Sequence, residues 1–187
     1  MVVSERISED TYRGIALGDG DRVWELHDGQ LVEKPGMSWE HGDLNARLSY
    51  LLQHQLKWDE FRVRINEGRL RRSPETYVVP DIVVVPAAFA RLFADQPGTL
   101  PIFPDQLPLV VEVWSPSTGG YDVAIKLPLY RERGDNEIWF LHPYERTLTT
   151  WVRQPDGSYE EAMHRDGVVR PVYLPGVAIR LEDVFRP

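Results

Sequence analysis

Two apolar segments of this chain each carry one acid where a hydrophobic side chain belongs: Thr76–Pro86 holds Asp81 directly after Pro80, and Leu109–Val113 holds Glu112. Burying a carboxylate among Val83, Val84, Val85, Val110 and Val111 is costly unless something compensates the charge. One divalent cation can compensate two acids at once, so the pair points to a metal-dependent site. Lys126 is the third candidate, because it follows Glu112 closely and is one of only three lysines in the chain.

The 187 residues are read as one domain spanning 1–187, long enough to bury a substantial core. A net charge of −8, from 21 basic and 29 acidic side chains, argues against long-range attraction to phosphate polymers, so any contact with nucleic acid has to be local. Arg62, Arg64, Arg69, Arg71 and Arg72 cluster before the Asp81 segment and read as a solvated hairpin face. The absence of cysteine excludes disulfides and thiolate metal sites. No apolar run has the length of a signal-peptide core or a membrane span, which gives the expectation of a cytoplasmic protein without membrane contact.

Along the chain, Val23–Glu33 alternates around Asp28-Gly29 and predicts a hairpin. Ser38 is placed to cap a helix running to Lys57, with Leu44, Leu48, Leu51 and Leu52 at helical spacing and His41 on the same inward stripe. Phe61–Ile65 predicts a half-buried strand, and Thr76–Pro86 a second strand, central in the sheet. Pro86–Pro108 reads as a long excursion bordering the site, with a short helix over Ala87–Ala94. After the Glu112 strand and the turn Ser115–Gly120, a helix over Tyr121–Arg133 presents Asp122, Lys126 and Tyr130 on one face, and Pro128 must kink or break it. Strands are then expected at Glu137–Leu141, Leu148–Val152, Tyr159–Met163 and Val172–Leu181, broken by Pro155-Asp156-Gly157 and Pro175-Gly176.

If the Asp81 and Glu112 strands are neighbours, the two carboxylates repel and one pKa rises unless a cation intervenes. Mg²⁺ suits such a pair because it takes a few carboxylate oxygens, keeps waters and leaves positions for a phosphate; Mn²⁺ is an alternative. Each residue also has a plainer reading. A strand acid often pairs with an arginine, His41 fits a hydrogen-bonded core histidine, Lys126 can pair with Asp122 on the helix, and Tyr130 and Trp139 fit packing positions.

Pro80-Asp81 in an apolar strand, the run Val111-Glu112-Val113-Trp114-Ser115-Pro116-Ser117-Thr118, then Asp122, Lys126, Tyr130 and Glu137–Leu141, resemble the Uma-two family of restriction-endonuclease-like proteins in the PD-(D/E)XK nuclease superfamily. The likeness extends to Glu25 with Asp28-Gly29, to Ser38 with His41, and to Leu174-Pro175-Gly176. It implies an α/β, restriction-endonuclease-like fold: a central mixed β-sheet flanked by helices, with an extra N-terminal hairpin and C-terminal strands. It implies Mg²⁺-dependent phosphodiester hydrolysis, with Asp81, Glu112 and the Val113 carbonyl as metal ligands and Asp81, Glu112 and Lys126 as catalytic residues. Beside what the resemblance implies, Glu25 is a candidate to complete the metal shell or to pair with an arginine, and His41 is a further catalytic candidate. His41 would serve behind the ligands or as a proton donor to the leaving group. The implied partner is nucleic acid, DNA rather than RNA, and cutting both strands would call for a homodimer. One position departs from the superfamily pattern: its lysine two residues after the strand acid is here Trp114, and Lys126 on the next helix takes the matching role. Two rival readings stand beside this one. The first is a decayed nuclease fold kept for nucleic-acid or protein binding, and the second a carboxylate-pair glycoside hydrolase that needs no cation.

Overall fold

The computed structural model describes residues 2–116 and 119–186, so Ser117 and Thr118 of the serine-proline turn lie outside the described residues. Two six-stranded mixed sheets dominate it. The first is ordered β1 (Val2–Arg6), β3 (Gln30–Glu33), β2 (Trp24–His27), β6 (Thr76–Val78), β5 (Arg69–Ser73) and β8 (Ile102–Phe103). The second is ordered β12 (Tyr159–His164), β11 (Thr147–Arg153), β10 (Glu137–His142), β9 (Leu109–Val113), β7 (Ile82–Pro86) and β4 (Phe61–Ile65), with β9 and β10 parallel and the other pairs antiparallel. This is the mixed α/β architecture expected, extra strands included.

The β2–β3 hairpin forms where Asp28-Gly29 predicts it, and both turn residues take positive φ, 48° and 82°, as a primed two-residue turn requires. Ser38 caps α2 (Trp39–Gln55) by accepting the His41 N–H, and Leu44, Leu48 and Leu52 bury against Ile82, Val84, Val111 and Trp139. Val83, Val85 and Val110 point to the opposite face, where Leu127, Leu129 and Tyr130 cover them. β7 and β9 are therefore buried on both sides, which is why they read as continuous apolar runs.

The structure corrects four expectations. Thr76–Pro86 is two strands, because the chain leaves the first sheet after Val78 and enters the second at Ile82, so Val79-Pro80-Asp81 is the seam between sheets. The arginine cluster is split across that seam: Arg62 and Arg64 lie on β4 and the others on β5, where Arg69 is buried. Residues 87–108, with α3 (Ala87–Leu92) and β8, line no part of the cavity described below; Phe89 and Phe93 pack edge-on to Phe103 and commit the excursion to the core. Val172–Leu181 breaks at Pro175-Gly176 as expected, but no strand precedes the break, and only β14 (Ile179–Arg180) remains, paired with β13 (Val168–Val169) and followed by α6 (Leu181–Val184). A helix that the charged N-terminal sequence hid, α1 (Glu9–Gly18), buries Tyr12 against Tyr77.

Gly68 has a packing reason. A Cβ there would stand 2.5 Å from Val83 Cγ2, inside the central strand's contact shell. Gly68→Ala is expected to destabilise the fold by about 1–3 kcal/mol, seen as a lower urea midpoint at unchanged slope. An unaltered midpoint would mean that Val83 yields without strain.

Candidate active site

β7 and β9 pair antiparallel with Ile82 opposite Val111, and one further step of that register sets Asp81 opposite Glu112. Side chains alternate along each strand, so Asp81 and Glu112 share the face of Val83 and Val110. The backbone confirms the closeness, because the Val113 N–H donates to Asp81 Oδ2 at 2.7 Å. Glu25 arrives from β2 on the first sheet and is fixed by the Val79 N–H, 2.8 Å from its Oε1.

Lys126 enters from a helix that is not uniform. After α4 (Gly119–Tyr121), residues Asp122–Lys126 form a π-helical turn, which leads into α5 (Leu127–Arg133). Pro128 cannot donate to the Ala124 carbonyl and its ring would strike it, so the break expected from proline is accommodated as this wider turn. Lys126 is thereby turned inward and buried at 3% exposure, its Nζ 3.1 Å from both Glu25 Oε1 and Glu112 Oε1 and 3.6 Å from Asp122 Oδ1. Tyr130, one turn on, donates its hydroxyl to Glu112 Oε1, a contact beyond the packing role read from sequence.

The structure brings together Glu25, His41, Asp81, Glu112 and Lys126 in one cavity of about 230 Å³, lined also by Lys34, Tyr121 and Asp122. His41 Nε2 lies 2.9 Å from Asp81 Oδ2. Sequence reasoning missed Lys34. Its Nζ spends three donors at 2.8 Å on Asn66 Oδ1, the Val79 carbonyl and Asp81 Oδ1. The signal was its rarity, since the same scarcity of lysine that singled out Lys126 applies to Lys34, just before Pro35-Gly36. The charge of the two strand acids is thus met, in the protein itself, by ammonium groups rather than by arginine.

Burial opposes ionisation of Asp81, but Lys34 and then His41 outweigh it and hold its carboxyl far below the usual range. Burial is likewise overcome at Glu25, where Lys126 and then His27, 2.9 Å away, bring the pKa down to about 2. Glu112 goes the other way. Burial pushes it up to about 8, Lys126 offsets only part of that, and repulsion from Asp81 and Asp122 adds to the rise. Lys126 is raised well above its ordinary value, because Glu112, Glu25 and Asp122 overcome its own burial.

The lining carries five carboxylic side chains, Glu25, Glu33, Asp81, Glu112 and Asp122, against the ammoniums of Lys34 and Lys126. The all-oxygen acid set fits a hard cation such as Mg²⁺. Among the described residues no three acidic or histidine side chains form a ready-made cage, since Lys126 bridges Glu25 and Glu112. At Val113 it is the N–H that touches the acid pair. No helix of the described residues is long and apolar enough to cross a membrane.

Comparison with solved structures gives the crystal structure of a "putative nuclease belonging to DUF820" from Anabaena variabilis ATCC 29413, at a TM-score of 0.74 and 19% identity over 96% of this chain and 97% of that one. That likeness is one of fold. No curated protein matches the chain. The family model Uma2, described as "Putative restriction endonuclease", matches residues 11–182, which takes in every acid and lysine of the cavity, and the chain belongs to that family.

Proposed function

We propose that the protein is a Mg²⁺-dependent nuclease that hydrolyses phosphodiester bonds in DNA, with the cavity at the seam between the sheets as its active site. The observation that carries this reading is the convergence of Asp81, Glu112 and Glu25 with the buried Lys126 in one cavity. Membership of a family described as "Putative restriction endonuclease" and the fold shared with a protein described as a "putative nuclease" support it. Asp81, Glu112, Glu25 and the main-chain carbonyl of Val113 would hold the cation, which when bound polarises the scissile phosphate and lowers the pKa of an attacking water.

The chain's own groups divide the remaining work. Lys34 and His41 keep Asp81 ionised and oriented, and its contact with the Val113 N–H fixes it on the strand. The position of His41 against Asp81 favours this supporting role over proton delivery to a leaving group. Lys126, a compact cation on a flexible stem, stands where it can meet charge building on the phosphate oxygens.

Calorimetry tests the reading. Mg²⁺ or Mn²⁺ should bind the wild type and fail to bind Asp81→Ala and Glu112→Ala, with cleavage of single-stranded, double-stranded or branched DNA lost in step. Unchanged binding in both variants would overturn the site. Metal binding with no hydrolysis of any nucleic acid would select the alternative of a nuclease fold kept for binding.

A further inference from the structure

Glu112 and Val110 share one face of β9, so Trp114, the next residue of that parity, emerges on the side of the catalytic acid, about 7 Å further along the extended chain. Its neighbour on β10 is His142, because the parallel register pairs Leu141 with Val113 and Phe140 with Glu112. The Trp114 and His142 rings stack at 4.4 Å between centroids and 24° between planes, and Tyr144 stands edge-on to both, at 5.8 Å and 6.2 Å. The Trp114 N–H donates to the Leu141 carbonyl, and the Glu145 N–H donates to His142 Nδ1 at 3.1 Å. The Trp114 backbone is thus tied to β10, and the His142 ring is oriented by a hydrogen bond of its own. Tyr144 is 56% exposed, and Trp114 and His142 are half-buried. Ser115, the residue after Trp114, lines the acid cavity, so the chain runs directly from the aromatic ledge to the cavity wall.

We propose that this ledge stacks an unpaired nucleobase of the strand whose phosphate enters the cavity, and so makes single-stranded or locally melted nucleic acid the preferred substrate. The inference rests on the nuclease reading above. The chain's charge of −8 and the acidic lining give a phosphate backbone little to hold, so affinity has to come from elsewhere. Base stacking on aromatic rings supplies it without sequence preference, and it is denied to bases shut inside a duplex. Trp114, the residue that departs from the nuclease pattern, thereby acquires a role of its own. Its position beside the acid is given to base contact, and the lysine acts from the helix.

The test measures binding of a dT oligonucleotide, the same oligonucleotide with a run of abasic sites, and a blunt duplex, with Ca²⁺ present and cleavage followed separately with Mg²⁺. Tyr144→Ala and Trp114→Leu should each weaken single-strand binding about tenfold or more, Trp114→Phe should restore most of it, and the abasic strand should bind the wild type as weakly as the variants do. Duplex binding should change less than about twofold, and Trp58→Ala, an exposed tryptophan beyond the C-terminal end of α2, should leave every value unchanged. If Tyr144→Ala, which removes a ring that is more than half exposed, binds the single strand like the wild type, the ledge proposal fails while the nuclease reading stands. Equal losses on single strand and duplex would overturn it too. A wild type that neither binds nor cuts any nucleic acid would sink both.

Discussion

Lys126→Met is expected to lose about 3–5 kcal/mol of stability at pH 8 and all detectable cleavage, since removal of one partner strands the others as uncompensated buried charge. The geometry makes the size plausible. One ammonium at 3% exposure lies 3.1 Å from each of two buried carboxylates, Glu25 and Glu112, with Asp122 slightly further out. Methionine keeps the length and much of the volume of lysine, so the loss reports charge rather than a cavity. The sign of the pH dependence separates this account from simple packing. In the wild type, Lys126 is the chief reason that Glu25 titrates at about 2, and the stability this gives is present above the unfolded carboxylate range and lost only as pH falls through about 2. Without the lysine, burial dominates at Glu25 and Glu112, and both are most stable protonated. The gap between the two proteins should therefore be widest near pH 8 and shrink towards pH 5. Urea midpoints at the two pH values check this, and an equal gap at both would reduce Lys126 to a packing residue.

The contrast between Lys126 and Lys34 shows how much of the site the sequence carries. Asp81 and Glu112 stand out because a carboxylate in a valine run violates the pattern of a strand, and a violation is visible in one dimension. Lys126 is visible because it follows at a helical spacing. Lys34 violates nothing: it sits in a polar turn, and what makes it matter is that β3 ends beside a seam formed 45 residues later, where Val79 and Asp81 arrive together. The same limit hid the seam. Thr76–Pro86 has the composition of one strand, and only the competition of two sheets for its ends divides it at Pro80, whose lack of an N–H removes it from either ladder. The π-helical turn lies between these cases. Pro128 announces a disturbance, but its form, a wider turn that rotates Lys126 inward instead of a break, depends on Glu25 and Glu112 waiting on the other side. Residues whose role is to hold a chemical group are thus less legible than the group, because their partners are distant in sequence.

Without divalent cation, the wild type is expected to lose stability as pH rises from about 5 to 8, on the order of 1 kcal/mol per pH unit at most for the single proton involved. The proton belongs to Glu112. Its ordinary value of 4.5 applies in the unfolded chain, whereas in the fold burial, with Asp81 and Asp122 nearby, pushes it up to about 8. Between those values the folded protein holds a proton that the unfolded chain has released. The contribution is therefore complete below about pH 4.5, falls away as pH climbs to about 8 and is flat beyond. The neighbouring Glu25, Asp81 and Lys126 do not titrate in that window: Glu25 and Asp81 are depressed and act only in acid, and Lys126 is raised and acts only in strong alkali. Glu112→Gln, which keeps the shape and removes the titration, should flatten the profile between pH 5 and 8 and leave the variant more stable than the wild type at pH 8. Saturating Mg²⁺ should flatten the wild-type profile as well, because a cation at the acids favours the form that the proton opposes. Its affinity should rise with pH over the same range, and calorimetry in buffers of different ionisation enthalpy should show up to one proton released per ion bound. Parallel pH profiles for the wild type and Glu112→Gln would place the proton elsewhere. Proton release that survives Glu112→Gln would remove Glu112 from the metal site altogether.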